Sequence, residues 1–128
     1  MYVDRLPPHD QRAEESVLGS LLIDGESIIN TVRFLEPEDF YIERNRWCYE
    51  ACLSLWQDNE AINSVTVGHR LALMSRLDDV GGAAYLGHLV ASVPTSAHVE
   101  NYARIVNRTH TLRRLIGAAG AIASLGYE

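Results

Sequence analysis

Apolar residues recur every three to four positions along almost the whole chain. Nowhere do Val, Ile and Thr alternate with polar residues in the two-residue rhythm of a half-buried strand. The pattern predicts an all-α protein. Residues 1–9 read as an extended arm, because Pro7 and Pro8 hold the chain out of helix. Asp10 is a natural N-cap, with Glu14 and Glu15 near the positive end of the first helix. Val17, Leu18, Leu21 and Leu22 form its stripe, and Asp24-Gly25 ends it. A short helix from Ser27 to about Leu35 turns Ile28, Val32 and Leu35 inward. After a turn at Glu36–Asp39, Phe40 and Tyr41 are expected to plug the core. The third helix, Glu43 to Asp58, has its stripe at Cys48, Tyr49, Cys52, Leu53 and Trp56, and Trp47 falls off that stripe.

Asn63 is placed to cap a fourth helix that buries Val67, Leu71 and Met74. Asp78–Gly82 reads as a loop closed by a left-handed glycine. The fifth helix, Ala83 to Ser92, buries Leu86, Leu89 and Val90. Val93-Pro94-Thr95 breaks it, and Ser96 is the expected cap of the last segment, Ala97 to about Leu125. That segment carries two stripes in one register. Val99, Tyr102, Ala103 and Val106 should dock on the body; Leu112, Leu115, Ile116, Ala119, Ile122 and Ala123 come later. An unbroken helix of this length reaches roughly 40 Å, against a body about 30 Å across, so its end overhangs. The polar run Asn107–Thr111 is the natural place for a bend.

Charge sharpens this division. The formal net charge is −6, but residues 1–90 balance to −8 and residues 91–128 to +2. An acidic chain is a poor phosphate-tracking protein, so little or no direct DNA binding is expected. All 11 basic residues are arginine. Without lysine the chain has no P-loop and no Schiff-base chemistry. No signal peptide or spanning segment is visible: the longest uncharged apolar stretch is about half of the roughly 20 residues a membrane helix needs. A soluble, cytoplasmic protein with no membrane partner is expected.

Candidate chemistry is sparse. Cys48 and Cys52 share a helix face at i, i+4, where two thiolates can bind zinc, yet no further Cys or His falls at ligand spacing. Buried structural cysteines are the expectation. The five histidines form no H-E-x-x-H pair, and His88 lies opposite its helix's apolar face, toward solvent. The acid clusters Glu14-Glu15, Glu36–Asp39 and Asp78-Asp79 sit at helix starts or turns, where capping and solvation account for them. Asn107-Arg108-Thr109 fits a glycosylation pattern by chance. Arg104, Arg108, Arg113 and Arg114 form a strip that reads as a solvated face, an interface for an acidic partner, or a DNA contact. Trp47 and Tyr85 read as exposed aromatics, either partly covered at the domain edge or anchors for another chain. No catalytic, cofactor or metal residues emerge, which favours an assembly module over a small helical enzyme.

Four stretches then line up in order: "RLPPHDQRAEESVLGSLLID", "LEPEDFY", "DDVGGAAYLGHLVASVPTSAHVENYARIV" and "LRRLI". Together they resemble the N-terminal domain of DnaB-type bacterial replicative DNA helicases over essentially the whole chain. The resemblance implies a compact orthogonal bundle of about five to six helices at 10–106, followed at 107–128 by the first helix of a helical hairpin. The second hairpin helix would follow Glu128. It implies a hexameric parent whose RecA-like ATPase domain, with its ATP and magnesium, is absent from this chain. The fragment itself would be non-catalytic. N-terminal domains of the family pair through their hairpins into a trimer-of-dimers collar, which contacts the helicase-binding C-terminal domain of primase and, in some bacteria, a helicase loader. Leu112, Leu115, Ile116, Ala119 and Ile122 match the first hairpin helix. Tyr85, Ile116 and Ile122 fall on the primase-facing surface, with Trp47, Arg113 and Arg114 as further interface candidates. Two features depart from the pattern: Trp47 stands where relatives often carry a polar residue, and Gly117 and Gly120 each cost the hairpin helix about 1 kcal/mol against Ala. The alternative is the helicase-binding module of a primase-like partner, against which the order of motifs argues.

Overall fold

The computed structural model describes residues 6–128, which contain helices and turns but no strand. Residues 1–5 of the expected arm lie outside the described residues, and Leu6–Asp10 is non-helical. Helix α1 spans Gln11–Ile23 and starts as its sequence asks, with the Asp10 carboxylate accepting the Ala13 N–H at 2.9 Å. It is the central strut. Val17, Leu18, Leu21 and Leu22 are buried, and α1 packs against both ends of the chain's later elements. Gly19 sits where a Cβ would lie 2.3 Å from the Leu89 carbonyl oxygen, so the approach to the fifth helix requires glycine.

The expected helix from Ser27 to Leu35 does not form. Instead a 3-10 helix spans Gly25–Asn30 and turns follow it. Ser27 and Thr31 donate their hydroxyls to the carbonyls of Asp24 and Ile28, and Ile28, Ile29 and Val32 are β-branched; both favour tighter turns over α-helix. Ile28 and Leu35 still reach the core. A second 3-10 turn, Pro37–Asp39, delivers Phe40 to full burial, whereas Tyr41 stays half-buried.

Helix α2 spans Glu43–Gln57 and begins after Ile42, which has no side chain able to cap it. Glu14 of α1 supplies the missing acceptors. Its fully buried carboxylate accepts the N–H groups of Tyr41 at 2.7 Å and Ile42 at 3.3 Å, and the Asn45 side-chain amide at 3.0 Å. The reading of Glu14 as a solvated first-turn acid is therefore corrected: it caps a different helix from the inside. Cys48, Tyr49, Cys52 and Leu55 form the buried face of α2. Trp56, expected on that face, is 41% exposed because it lies in the last turn, at the edge of the body.

Helix α3 spans Ser64–Leu73, capped by the Asn63 side-chain amide oxygen, which accepts the N–H groups of both Val65 and Thr66. A single turn, α4 (Leu77–Val80), stands where a loop was expected. Gly81 then takes the anticipated left-handed conformation at φ 106°. Helix α5 spans Gly82–Ala91 and packs on α1, α3 and α4. Helix α6 runs from Val99 to Gly126 without interruption. Ser96 does not cap it, since its hydroxyl donates to Asp24 at 2.9 Å. The polar run at Asn107–Thr111 stays within the helix, with Thr109 and Thr111 bonding back to the carbonyls of Val106 and Asn107.

Removing the Glu14 carboxylate leaves one buried and two part-buried donors without an acceptor. Glu14→Ala is expected to lower unfolding free energy by about 3 kcal/mol, and Glu14→Gln by roughly half as much, in urea titrations followed by circular dichroism. A loss below about 1 kcal/mol for the alanine variant would show that this network does not hold the fold.

Candidate protein interface

Val99, Ala103 and Val106 bury the first stripe of α6 against α1 and the 3-10 turns. The helix then leaves the body, and every residue from Arg114 to Glu128 is exposed. The second stripe is bare: Ile116 is 59% and Ile122 69% exposed, and Leu112, Leu115, Ala119 and Leu125 are exposed with them. Leu112, Leu115, Ile116, Ala119 and Ile122 fall within about a third of the helix circumference, with Leu125 beyond one edge. The result is an apolar face, roughly 20 Å long, standing off the body of the domain.

A polar clamp fixes the root of this overhang. Arg113 donates one guanidinium nitrogen to the Pro8 carbonyl and another to the Asp39 carbonyl, both at 2.7 Å. Its planar group lies 5.3 Å over the Tyr41 ring, which stacks on His9 at 4.4 Å. His110 approaches the Asp39 carboxylate at 3.3 Å. Burial pulls the Arg113 pKa below the ordinary arginine value, an effect that Glu14 and Asp39 oppose. Arg113 is thus a joint between arm, turn and helix, which corrects its placement among free interface residues. The expected arginine strip divides further. Arg104 pairs with Glu100 at 3.5 Å over the Phe34 ring, while Arg108 and Arg114 stay exposed. The Asn107 amide is engaged with the Phe34 carbonyl at 3.0 Å.

The two aromatics read as exposed are covered. Tyr85 is only 8% exposed: its hydroxyl donates to Asn45, which in turn donates to Glu14. The Arg44 guanidinium lies 4.4 Å over its ring, and burial pushes its pKa up to about 12. Tyr85 faces inward because α5 lies on α1 beside the start of α2, where Asn45 offers an acceptor. Trp47 is half-buried under Arg76, at 4.3 Å. Tyr85 and the α6 tail are not brought together, since α5 packs on α1, α3 and α4 while the tail projects from the body.

His88 is exposed, as expected, but its Nε2 also reaches α1, 2.7 Å from the Glu15 carboxylate. No local pattern signals this pair. The Glu14 network left one trace in the sequence, the lack of any capping side chain at Ile42. Cys48 and Cys52 are buried and unbonded to each other, and burial pushes the Cys48 thiol up to about 12, so neither offers a thiolate.

Residues 6–108 match the family described as the DnaB-like helicase N-terminal domain. The chain belongs to this family. It is 39% identical over 127 residues to the replicative DNA helicase DnaB of Geobacillus stearothermophilus, covering 99% of this chain and 28% of that protein. Its fold superposes on the N-terminal domain of DnaB helicase from Mycobacterium tuberculosis with a TM-score of 0.92 at 38% identity, covering 96% of this chain and 89% of that one. A DnaB-like replicative helicase, solved in a study of its interactions with primase, matches with a TM-score of 0.80 at 26% identity, over 90% of this chain and 26% of that one. The chain therefore spans little more than a quarter of the length of the curated relative. It corresponds to the DnaB N-terminal domain, and its 128 residues contain no P-loop lysine. The all-α expectation holds, and the match decides against the primase-like alternative. Among the described residues no helix is long and apolar enough to cross a membrane.

In this DnaB N-terminal domain the Glu15–His88 contact ties α1 to α5 with a measurable pH signature. Burial raises the Glu15 pKa, but hydrogen bonds from Gln11 and His88 and the charges of His88 and Arg44 outweigh it, holding the carboxyl below 4.5. A pKa lowered by folding adds stability above the unfolded value and loses it as pH falls through the folded one. Glu15→Gln should therefore be less stable than wild type at pH 6–7, with the gap closing below pH 4.5 in urea unfolding. A gap independent of pH would contradict this assignment.

Proposed function

We propose that this domain is the non-catalytic N-terminal collar module of a hexameric replicative helicase, serving ring assembly and the docking of primase. The observation that carries the reading is the uncovered apolar face of α6, held rigidly off the body by the Arg113 clamp. Covering a large aliphatic side chain contributes about 1.5–3 kcal/mol before association costs. Leu115, Ile116, Ile122 and Leu125 together offer enough for a stable helix-to-helix contact. A second copy of the domain, through a helical hairpin, is the partner in ring assembly. The helicase-binding C-terminal domain of primase is the docking partner, a choice supported by the similar helicase studied for its interactions with primase. A helicase loader is a further partner on the same reading. ATP and magnesium act at the RecA-like motor domain and not here, and the net charge of −6 favours protein partners over direct DNA contact. The protein works at the replication fork, in the cytoplasm.

Ile116→Asp and Ile122→Asp place a charge in the proposed seam while touching no core residue. Each is expected to weaken self-association in sedimentation, or binding of the primase C-terminal domain, by tenfold or more, with circular dichroism and urea unfolding unchanged. Both variants matching wild type in both assays would defeat the reading.

A further inference from the structure

We propose that the groove between the Gly25–Asn30 3-10 helix and the α2–α3 loop is a second docking site. Its occupant is a basic segment of a partner protein that lays a large apolar side chain on Ile29 and Trp56. The groove measures about 430 Å³, and none of its lining residues belongs to α6 or α5. Its floor is Ile28 and Ile62, both buried, and its open walls are Ile29, 60% exposed, and Trp56. A tryptophan and an isoleucine left uncovered side by side are unusual for a closed surface, and tryptophan is the residue most enriched where binding energy concentrates.

The groove is built rather than a chance gap between mobile parts. A Cβ at Gly25 would sit 2.7 Å from the Ile62 carbonyl oxygen, so only glycine lets the 3-10 helix close down on the loop and form the floor. The rim is braced by Arg70, which bonds Asp58 at 3.0 Å, Glu60 at 3.2 Å and the Ser54 hydroxyl. Asn59 between the two acids adopts the left-handed conformation, φ 58°. One arginine thus holds two carboxylates, and the exposed Glu26 adds a third, which leaves the rim with two uncompensated negative charges.

That charge selects the occupant. An apolar floor inside an acidic rim suits a peptide with one or two large apolar side chains flanked by arginine or lysine. It repels nucleic-acid phosphates and anionic lipid. The occupant is another protein rather than a second copy, because a copy brings a chain of the same sign, with a net charge of −6, and Arg104 and Arg113 of its basic strip are already engaged within their own chain.

The test is an NMR titration of the whole 128-residue chain with two short amidated peptides, one of arginine and leucine and one of glutamate and leucine. The arginine peptide is expected to shift the Trp56 indole and the Ile29 and Glu60 amides in a saturable, salt-sensitive way. Glu26→Gln with Glu60→Gln should weaken that binding at least fivefold, and Ile29→Ser with Trp56→Ala at least tenfold. All four positions are exposed, and circular dichroism confirms that the variants fold. An equal response to both peptides overturns the proposal, as do shifts confined to other surfaces. Shifts at Ile29 and Trp56 that grow with chain concentration alone overturn it in favour of a second copy.

Discussion

The fold is organised by a single buried carboxylate. Glu14 lies in the first turn of α1 with no access to water, and a buried carboxyl group there is costly unless its oxygens are satisfied. Three donors meet it, all from the segment that starts α2. The requirement runs in both directions: Glu14 needs those donors, and an α2 that begins after Ile42 needs an acceptor. Asn45 passes the constraint on by accepting the Tyr85 hydroxyl, which seats α5. Tyr41, placed by its own N–H on Glu14, supplies the ring on which Arg113 and His9 rest. The root of the exposed helix therefore depends on a charge inside the body.

The boundary between what the sequence reveals and what it hides follows interaction range. The Asp10 and Asn63 caps, the left-handed Gly81 and the two stripes of α6 all act within a few residues of themselves, and each is found as its pattern suggests. Glu14 is different, since its partners lie 27 to 31 positions away, and Glu15 meets His88 across 73. Next to local partners both acids look like ordinary first-turn residues. Tyr85 appears exposed only until the Asn45 acceptor is brought beneath it. Trp56 fails for another reason: periodicity says which way a side chain faces but not where the body facing it stops. The apolar tail of the interface was legible because an unpaired stripe needs no partner to be recognised. The Arg113 clamp was not, since it joins α6 to Pro8 across 105 positions and to Asp39 across 74.

Chemistry and surface point the same way. The thiols are sealed in the core, and the carboxylates of the body cap helices, brace loops or rim a groove. Uncovered apolar surface instead sits at two separate places of different character. One is a long apolar face on a helix with exposed arginines, and the other a short apolar floor with acidic edges. Surfaces so unlike each other suit different partners, so occupancy of one does not require vacating the other.

The continuity of α6 has a mechanical consequence. Val99–Val106 is packed on α1, while the last 13 helical residues form a free arm on the same rigid rod. With about 20 Å beyond the root, a tilt of roughly 10° at Arg113 displaces the tip by between 3 and 4 Å. That is more than half of the roughly 5 Å between one knob and the next along a helix face. The rod works as a lever whose fulcrum is three hydrogen-bonding groups, so small repacking around Pro8 and Asp39 is amplified into a change of register where the tail meets whatever covers it.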